Sequence, residues 1–415
     1  MKFSVFVNNF IKRKGILVGV SSMVEKIGGF CVVFIATHFL TQNNFGLITY
    51  ANTILMFIAP FIGFGIHQGL IRYGSIAKSQ IEKKNLFIFT LKKGIKFSFV
   101  LIGIVILLSP LLTSNLKQAN TYLIILSFQL LSLFLYEMLR VYSRIINLNK
   151  LYAYITIFKT LLLVISTYLL TLKFKNIGYV IAITLTPFLT AIFYFKKIKL
   201  KTFKSTTLSK IQFKNILFYG FNTSVGGVLS QLLYAVDILL IANIIKKEAA
   251  VALYKVSSVV PFSLLILPLI FMKTDFVLLA NKSVVDKQYI KKYYFNYLKI
   301  FTVISFLIVL FFYFFSGSIM SLFSESYTDS SLVIIFAVGV VGALLLRIPL
   351  GNILSAVGLT KINAINSFII VLLNIVLGYI FILKYGLVGA ALTTAFLMWF
   401  SGVLSLLFFI RFLKQ

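Results

Sequence analysis

Acidic side chains are scarce in this sequence: nine Asp and Glu stand against 40 Lys and Arg in 415 residues, and charged residues of both signs make up only 12%. A water-soluble protein carries roughly a quarter of its residues as charge, so this chain lacks the polar material to coat a surface facing water. Its single cysteine, Cys31, excludes an intrachain disulfide and a cysteine-based metal site. Two histidines, His38 and His67, are too few for a multi-histidine metal centre. No paired-carboxylate motif, phosphate-cradling glycine loop or Ser/His/Asp constellation is present. Glu248, Glu325 and Asp329 are scattered over short connectors, with no large loop on which to build acid–base chemistry. These absences argue against an enzyme, and no cofactor is expected.

What the chain has in quantity is apolar length: 60% of it is hydrophobic, and the mean hydropathy is +1.02. Runs near twenty residues recur from end to end, each able to cross a bilayer core of ~30 Å. The period-2 alternation of a membrane barrel is absent, which leaves helices as the spanning element. The reading is an all-α, polytopic membrane protein of about twelve transmembrane helices. The expected spans cover residues 15–40, 46–70, 95–114, 120–139, 151–172 and 177–195, then 215–245, 250–272, 298–316, 331–354, 363–383 and 387–410. The basic N-terminus resembles a signal peptide, but the first apolar run is too long for one and contains Glu25 and Lys26, so it reads as a retained span.

The net charge of +31 raises the question of nucleic acid. The basic residues, however, lie in short connectors and not on one face of a compact domain. Cytoplasmic loops are enriched in Lys and Arg. With the N-terminus inside, alternate connectors on the inner side hold 29 of the 40 basic residues and those on the outer side six. A wrong span count would scramble that alternation, so the charge reads as a topology signal, with both termini cytoplasmic and no nucleic acid partner.

The basic stretch 196–214 divides the chain into two six-span halves, taken as lobes 1–200 and 201–415. Leu148-Asn149-Lys150 matches Leu359-Thr360-Lys361 at an offset of 211, and Ile177-Gly178 matches Val388-Gly389 at the same offset. Two parallel six-helix repeats around a central cavity are a transporter architecture.

Particular residues narrow the class. Asn44-Phe45-Gly46 with Tyr50-Ala51, then Gly63-Phe64-Gly65-Ile66-His67-Gln68-Gly69-Leu70-Ile71-Arg72, resembles the first hairpin of bacterial polysaccharide flippases. Asp237, Tyr254, Ala356-Val357-Gly358-Leu359-Thr360-Lys361 and Tyr385-Gly386-Leu387-Val388-Gly389-Ala390-Ala391-Leu392-Thr393-Thr394 extend the resemblance over nearly the whole chain. It is to the O-antigen and capsule flippases of the multidrug/oligosaccharidyl-lipid/polysaccharide exporter superfamily. That resemblance implies two lobes working by alternating access in the bacterial inner membrane, with a polyprenyl-pyrophosphate oligosaccharide as cargo. Membrane lipids, and a polymerase and chain-length proteins of the same pathway, are the partners it implies. An ion-coupled multidrug exporter of the same fold is the alternative, and a membrane-embedded polymerase or ligase stands behind both.

A charge at mid-span costs about 2.5–3.5 kcal/mol on insertion scales, so it faces a cavity or a partner. Glu25 and Lys26 project ~100° apart and do not pair on one helix face. Either they meet neighbouring helices, or Lys26 lines an anion-attracting cavity that Glu25 tunes. Lys159 and Arg347 either snorkel to the headgroups or line that cavity. Lys255 either pairs with Asp237 or lines it too, while Glu137 with Arg140 reads as a headgroup-level pair. Gln231 and Tyr234 add polarity suited to sugar hydroxyls or to other helices. His67 reads as an interfacial hydrogen-bonding residue or a proton relay. Four cations within the spans against Glu25 and Asp237 bias the cavity positive, which suits a pyrophosphate. Without a nucleotide-binding motif, the energy is expected from H+ or Na+ coupling through Glu25, Asp237 or His67. Pro60, Pro261 and Pro268 mark candidate bending points.

Overall fold

Hydrocarbon offers a peptide group no water to bond, so a spanning segment closes its hydrogen bonds within one helix. The computed structural model describes residues 15–197, 210–268, 286–324 and 329–414, with Met272, Leu279 and Tyr327 between them, and no strand occurs among these. The chain divides into two compact units, Met1–Gln231 and Leu232–Gln415.

Unit 1 contains α1 (Gly15–Phe39), α2 (Gln42–Ile58), α3 (Ile66–Ile76), α4 (Gln80–Leu112), α5 (Asn120–Ser127), α6 (Gln129–Ile145) and α7 (Asn149–Lys197). The division falls within α8 (Lys210–Ile244). Unit 2 continues with α9 (Glu248–Ser263), α10 (Lys287–Phe323), α11 (Ser331–Gly342), α12 (Ile348–Ala356) and α13 (Thr360–Lys414). Side-chain oxygens open several helices by accepting otherwise orphaned N–H groups. Thr41 takes Asn44 N–H at 3.3 Å, Ser79 takes Glu82 N–H at 3.0 Å, and Asp286 takes Tyr289 N–H at 2.9 Å.

Nine stretches among the described residues are long and apolar enough to cross a membrane. Two are too long for one crossing, since α7 has 49 residues and α13 has 55. At ~1.5 Å per residue each would reach about twice the bilayer core. Both fold back. Helix α7 turns at Lys175 (φ 47°), which brings Ser166 Oγ to 2.9 Å from Thr186 Oγ1, 20 positions later. Helix α13 turns at Gly386 (φ 60°), and Asn366 Nδ2 donates to the Ser401 carbonyl and to Ser405 Oγ, both at 2.9 Å. Taking each as two spans and including α8 brings the number of crossings to about twelve, consistent with the hydropathy reading.

Prolines inside spans remove N–H donors, and nearby side chains replace them. Pro110 deprives the Ile106 carbonyl of its helical donor, and Ser109 Oγ bonds that oxygen at 2.8 Å. Pro187 does the same to Ile183, whose carbonyl accepts from Gln129 Nε2 at 3.1 Å across helices.

The largest departure from a continuous span lies between α2 and α3. Sequence reads residues 46–70 as one span bending at Pro60, whereas the structure breaks the helix through Ile62 (ψ 130°), Gly63 (φ 56°), Phe64 (φ 53°) and Gly65 (φ 74°). Three successive left-handed residues are an arrangement that no proline kink requires. Packing holds it in place. The Phe134 ring occupies the space a Cβ would take on both Gly63 and Gly94, and Phe64 stacks edge-on against Phe97 at 5.0 Å. Gly65 lies directly against Gly220 of α8, and Ser224 Oγ bonds the Pro60 carbonyl. Left-handed backbone for a residue with a side chain costs about 1–3 kcal/mol, and at Gly65 a methyl would also strike the Gly220 carbonyl. Gly65→Ala is therefore expected to destabilise the protein by about 2 kcal/mol or more. Gly103→Ala, which faces open space, should leave it unchanged. Thermal melts of the detergent-solubilised protein decide between these outcomes.

Candidate functional site

Half-buried charges collect in one cluster in unit 1, and a fully buried carboxylate centres another in unit 2. In unit 1 the cluster joins α1, α6 and α7. Lys159 Nζ lies 3.3 Å from Glu25 Oε1, with the lysine side chain 16% exposed and the glutamate 33%. The charge that answers Glu25 thus comes from another helix, and the adjacent Lys26 lies on the exposed stripe of α1 with Met23 and Ile27. The same ammonium sits 5.7 Å from the centre of the Tyr136 ring.

Arg140 lies against the same ring, its guanidinium 5.3 Å from the Tyr136 centre and 4.7 Å from that of Tyr152. It donates to Glu137 at 2.7 Å and to the Tyr152 hydroxyl. The arginine side chain is 18% exposed. Sequence reads Glu137 and Arg140 as a pair; the structure bonds them and sets the guanidinium against two tyrosine rings, with Glu25 near enough to act on it. Spacing explains the arrangement, because positions 136, 137 and 140 fall on adjoining sides of one helix turn, and Tyr152 enters from α7. Arg144 also lies over Tyr152, at 4.8 Å. Lys159, Arg140 and Arg144 outnumber Glu25 and Glu137, so the cluster is net positive.

His67 belongs to the same unit, in the first turn of α3 behind the left-handed break. It is buried, at 6% exposure. Its Nε2 is 3.1 Å from Gln68 Nε2, and the Ile62 backbone and the Glu137 carboxylate both act on it.

In unit 2 the cluster centres on Asp237, buried at 2% exposure. Its Oδ2 accepts from the Tyr254 hydroxyl at 2.7 Å and from Thr394 Oγ1 at 2.6 Å, and these two hydroxyls are 3.1 Å apart. The sequence offered Lys255 as the partner; the hydroxyl that reaches the carboxylate belongs to the residue before it. Asn374 stands beside the acid from the first arm of α13. The Asn374 amide adds a third hydrogen-bonding group to the two hydroxyls on this buried acid, as unmet polar atoms in a low-dielectric interior are costly. No group of three or more His, Cys, Asp or Glu arranged to hold a metal occurs among the described residues.

The other candidates are dispersed. Arg347 is half-buried at the end of a widened helical turn, and Lys255 is half-buried on α9. The side chains of Gln231 and Tyr234 lie outside the described residues. Sequence reasoning missed Asn374 and Thr394. An asparagine within the apolar run Val371-Leu372-Leu373-Asn374-Ile375-Val376 was the available signal for the first. The second was visible only as part of a small-residue motif.

The comparisons with known proteins agree with this architecture. The family described as polysaccharide biosynthesis protein matches residues 11–278. A solved structure of the lipid II flippase MurJ, in an inward closed conformation, superposes with a TM-score of 0.74 at 20% identity, over 96% of this chain and 88% of that one. An inward-facing multidrug resistance MATE family transporter of the MOP superfamily gives 0.66 at 15% identity, over 96% and 94%. An outward-facing MATE transporter gives 0.62 at 16% identity, over 97% and 95%. No curated protein matches the sequence. The fold is therefore that of the MOP-type transporters.

Each hydroxyl on Asp237 is a separate support. Tyr254→Phe and Thr394→Val should each destabilise the protein by about 1–3 kcal/mol, while Tyr254→Phe with Thr394→Val together should deviate from additivity because both serve one oxygen. A double-mutant cycle on apparent melting temperature measures this.

Proposed function

Because the chain belongs to the polysaccharide biosynthesis protein family, we propose that it is a flippase. It carries a polyprenyl-pyrophosphate-linked oligosaccharide from the cytoplasmic to the outer face of the bacterial inner membrane, for O-antigen, capsule or exopolysaccharide synthesis. Its spans lie in that membrane with both termini cytoplasmic, and a polymerase and chain-length proteins receive the product. The proposal treats the chain as a transporter and not an enzyme, in keeping with a family and a fold whose relatives include the lipid II flippase and the MATE transporters.

The observation that carries the cargo class is the net-positive, tyrosine-lined cluster of unit 1. Arginine and lysine donate strong, charge-assisted hydrogen bonds to phosphate oxygens, and Lys159 and Arg140 are held ready by carboxylates that an arriving pyrophosphate can replace. Lys26, on the exposed stripe of α1, adds a cation without a carboxylate of its own on that helix face. A cation-drug exporter would need the opposite bias. The lipid tail stays in the bilayer, so only the sugar and pyrophosphate require a polar path.

Energy enters through unit 2. Asp237, a buried carboxylate met by the Tyr254 and Thr394 hydroxyls, is the coupling group for H+ or Na+. Either ion neutralises its charge, and a ligand shifts a conformational equilibrium only by its differential affinity for the states. No nucleotide is needed.

In a deletion strain, lipid-linked oligosaccharide should accumulate on the cytoplasmic face and return to normal sidedness when the gene is restored. Units already on the outer face and unpolymerised would instead indicate a polymerase or ligase, and unchanged lipid-linked sugars would direct attention to drug export. In the complemented strain, Asp237→Asn should lower flipping by at least about tenfold at normal expression and remove its response to collapse of the ion gradients. Lys26→Ala should reduce flipping and Lys26→Arg restore part of it. Flipping that ignores both gradients in the wild type would sink the coupling assignment.

A further inference from the structure

Between α11 and α12 the helix of unit 2 widens. The N–H of Ile348 bonds the carbonyl of Ala343, five residues back, in place of the usual four. Such π-type turns are rare and concentrate at functional sites. The sequence explains why one forms here. Pro349 has no N–H, so the Leu345 carbonyl loses its helical donor. The Leu344 carbonyl loses its own as well, because Ile348 N–H has gone to Ala343 and the next donor position is again Pro349.

Two freed carbonyls in a membrane span are costly unless a partner is found. Both partners come from α10. Tyr297 donates its hydroxyl to Leu344 at 2.7 Å, and Tyr294 donates to Leu345 at 3.2 Å. These tyrosines are themselves fixed, Tyr297 stacked on Phe301 at 4.1 Å and Tyr294 edge-on to Phe409 at 5.3 Å. The segments on either side are anchored separately. Helix α11 is held by Trp399 Nε1 on the Val338 carbonyl at 2.9 Å, and α12 by Asn363 Nδ2 on the Gly351 carbonyl at 2.8 Å.

We propose that Ala343–Arg347 is a hinge of the transport cycle, latched by the hydroxyls of Tyr297 and Tyr294. In the state seen here the latch is closed. Breaking the two hydroxyl bonds lets α12 pivot against α11 without breaking a helical backbone bond at Pro349, while the core around Leu344, Leu350 and Ile353 repacks. Arg347 rides on the pivot, so the hinge alters where this cation stands in each state. Tyr294 and Tyr297 are thus positioning residues that act through the bulge. The inference rests on the transport reading for its purpose, though not for its geometry.

The test uses the full chain with Cys31→Ser, carrying spin labels at Asn296 on exposed α10 surface and at Val357 beyond α12, purified into lipid nanodiscs. Two distance populations are expected in the parent protein. Pro349→Ala restores the missing N–H and should collapse them to one, with an unchanged or higher melting temperature. Flipping in cells should fall by at least about tenfold. Tyr297→Phe with Tyr294→Phe removes the latch without touching the proline, and should shift the populations toward the open distance. Two populations that persist unchanged in both variants, or a single population in the parent, would overturn the hinge. So would full flipping by Pro349→Ala. If the parent flips no lipid-linked sugar yet its two populations collapse in Pro349→Ala, the hinge stands and the cargo assignment fails.

Discussion

A backbone carbonyl in hydrocarbon must be met from within the chain, and this shortage of partners shapes the molecule wherever its helices are not ideal. Each proline-freed carbonyl described above has a designated donor: Ser109 for Ile106, Gln129 for Ile183, Tyr297 and Tyr294 for Leu344 and Leu345. The Pro60 carbonyl at the left-handed break is met by Ser224. Irregular backbone at membrane depth survives only where protein or a water-filled cavity surrounds it. The break at Gly63–Gly65 is accordingly packed closely, with glycines letting Phe134 and the Gly220 backbone close over it.

The same scarcity governs the charges. Glu25, Lys159, Glu137 and Arg140 are stabilised by one another and by the faces of Tyr136 and Tyr152. Cations over aromatic rings gain about 0.5–2 kcal/mol depending on desolvation, which suits a cluster that must stay cationic while part of it is exposed. Asp237 is handled differently, by two hydroxyls that serve one carboxylate oxygen, with the Asn374 amide beside them.

Much of the fold was legible before any coordinates. Hydropathy marked the long apolar helices, including the hairpins that turn at Lys175 and Gly386, because crossing a bilayer constrains length so strongly. The break at Gly63–Gly65 was not legible: its motif was visible, but left-handed backbone depends on Phe134 and Gly220, which are distant in sequence. The wide turn at Ala343–Arg347 had its cause in view, Pro349, but its donors lie some fifty residues upstream. Of the site residues, isolated charges such as Glu25, Lys159 and Asp237 stood out against the apolar background. Their partners did not. Tyrosine, threonine and asparagine are ordinary in spans, and only the tertiary structure shows that Tyr254, Thr394 and Asn374 meet at one acid. The Glu137–Arg140 pair was legible from its i, i+3 spacing, but the rings against it were not, because Tyr152 enters from another helix.

The proposed transport requires an ion gradient to drive a lipid-linked sugar across the membrane through this chain alone. The purified protein in liposomes, with a fluorescent polyprenyl-pyrophosphate oligosaccharide and an impermeant quencher, tests it directly. A sodium or proton gradient should move the labelled lipid toward one leaflet, beyond the even distribution reached without a gradient. Label that stays in its starting leaflet, as in protein-free liposomes, would contradict the account.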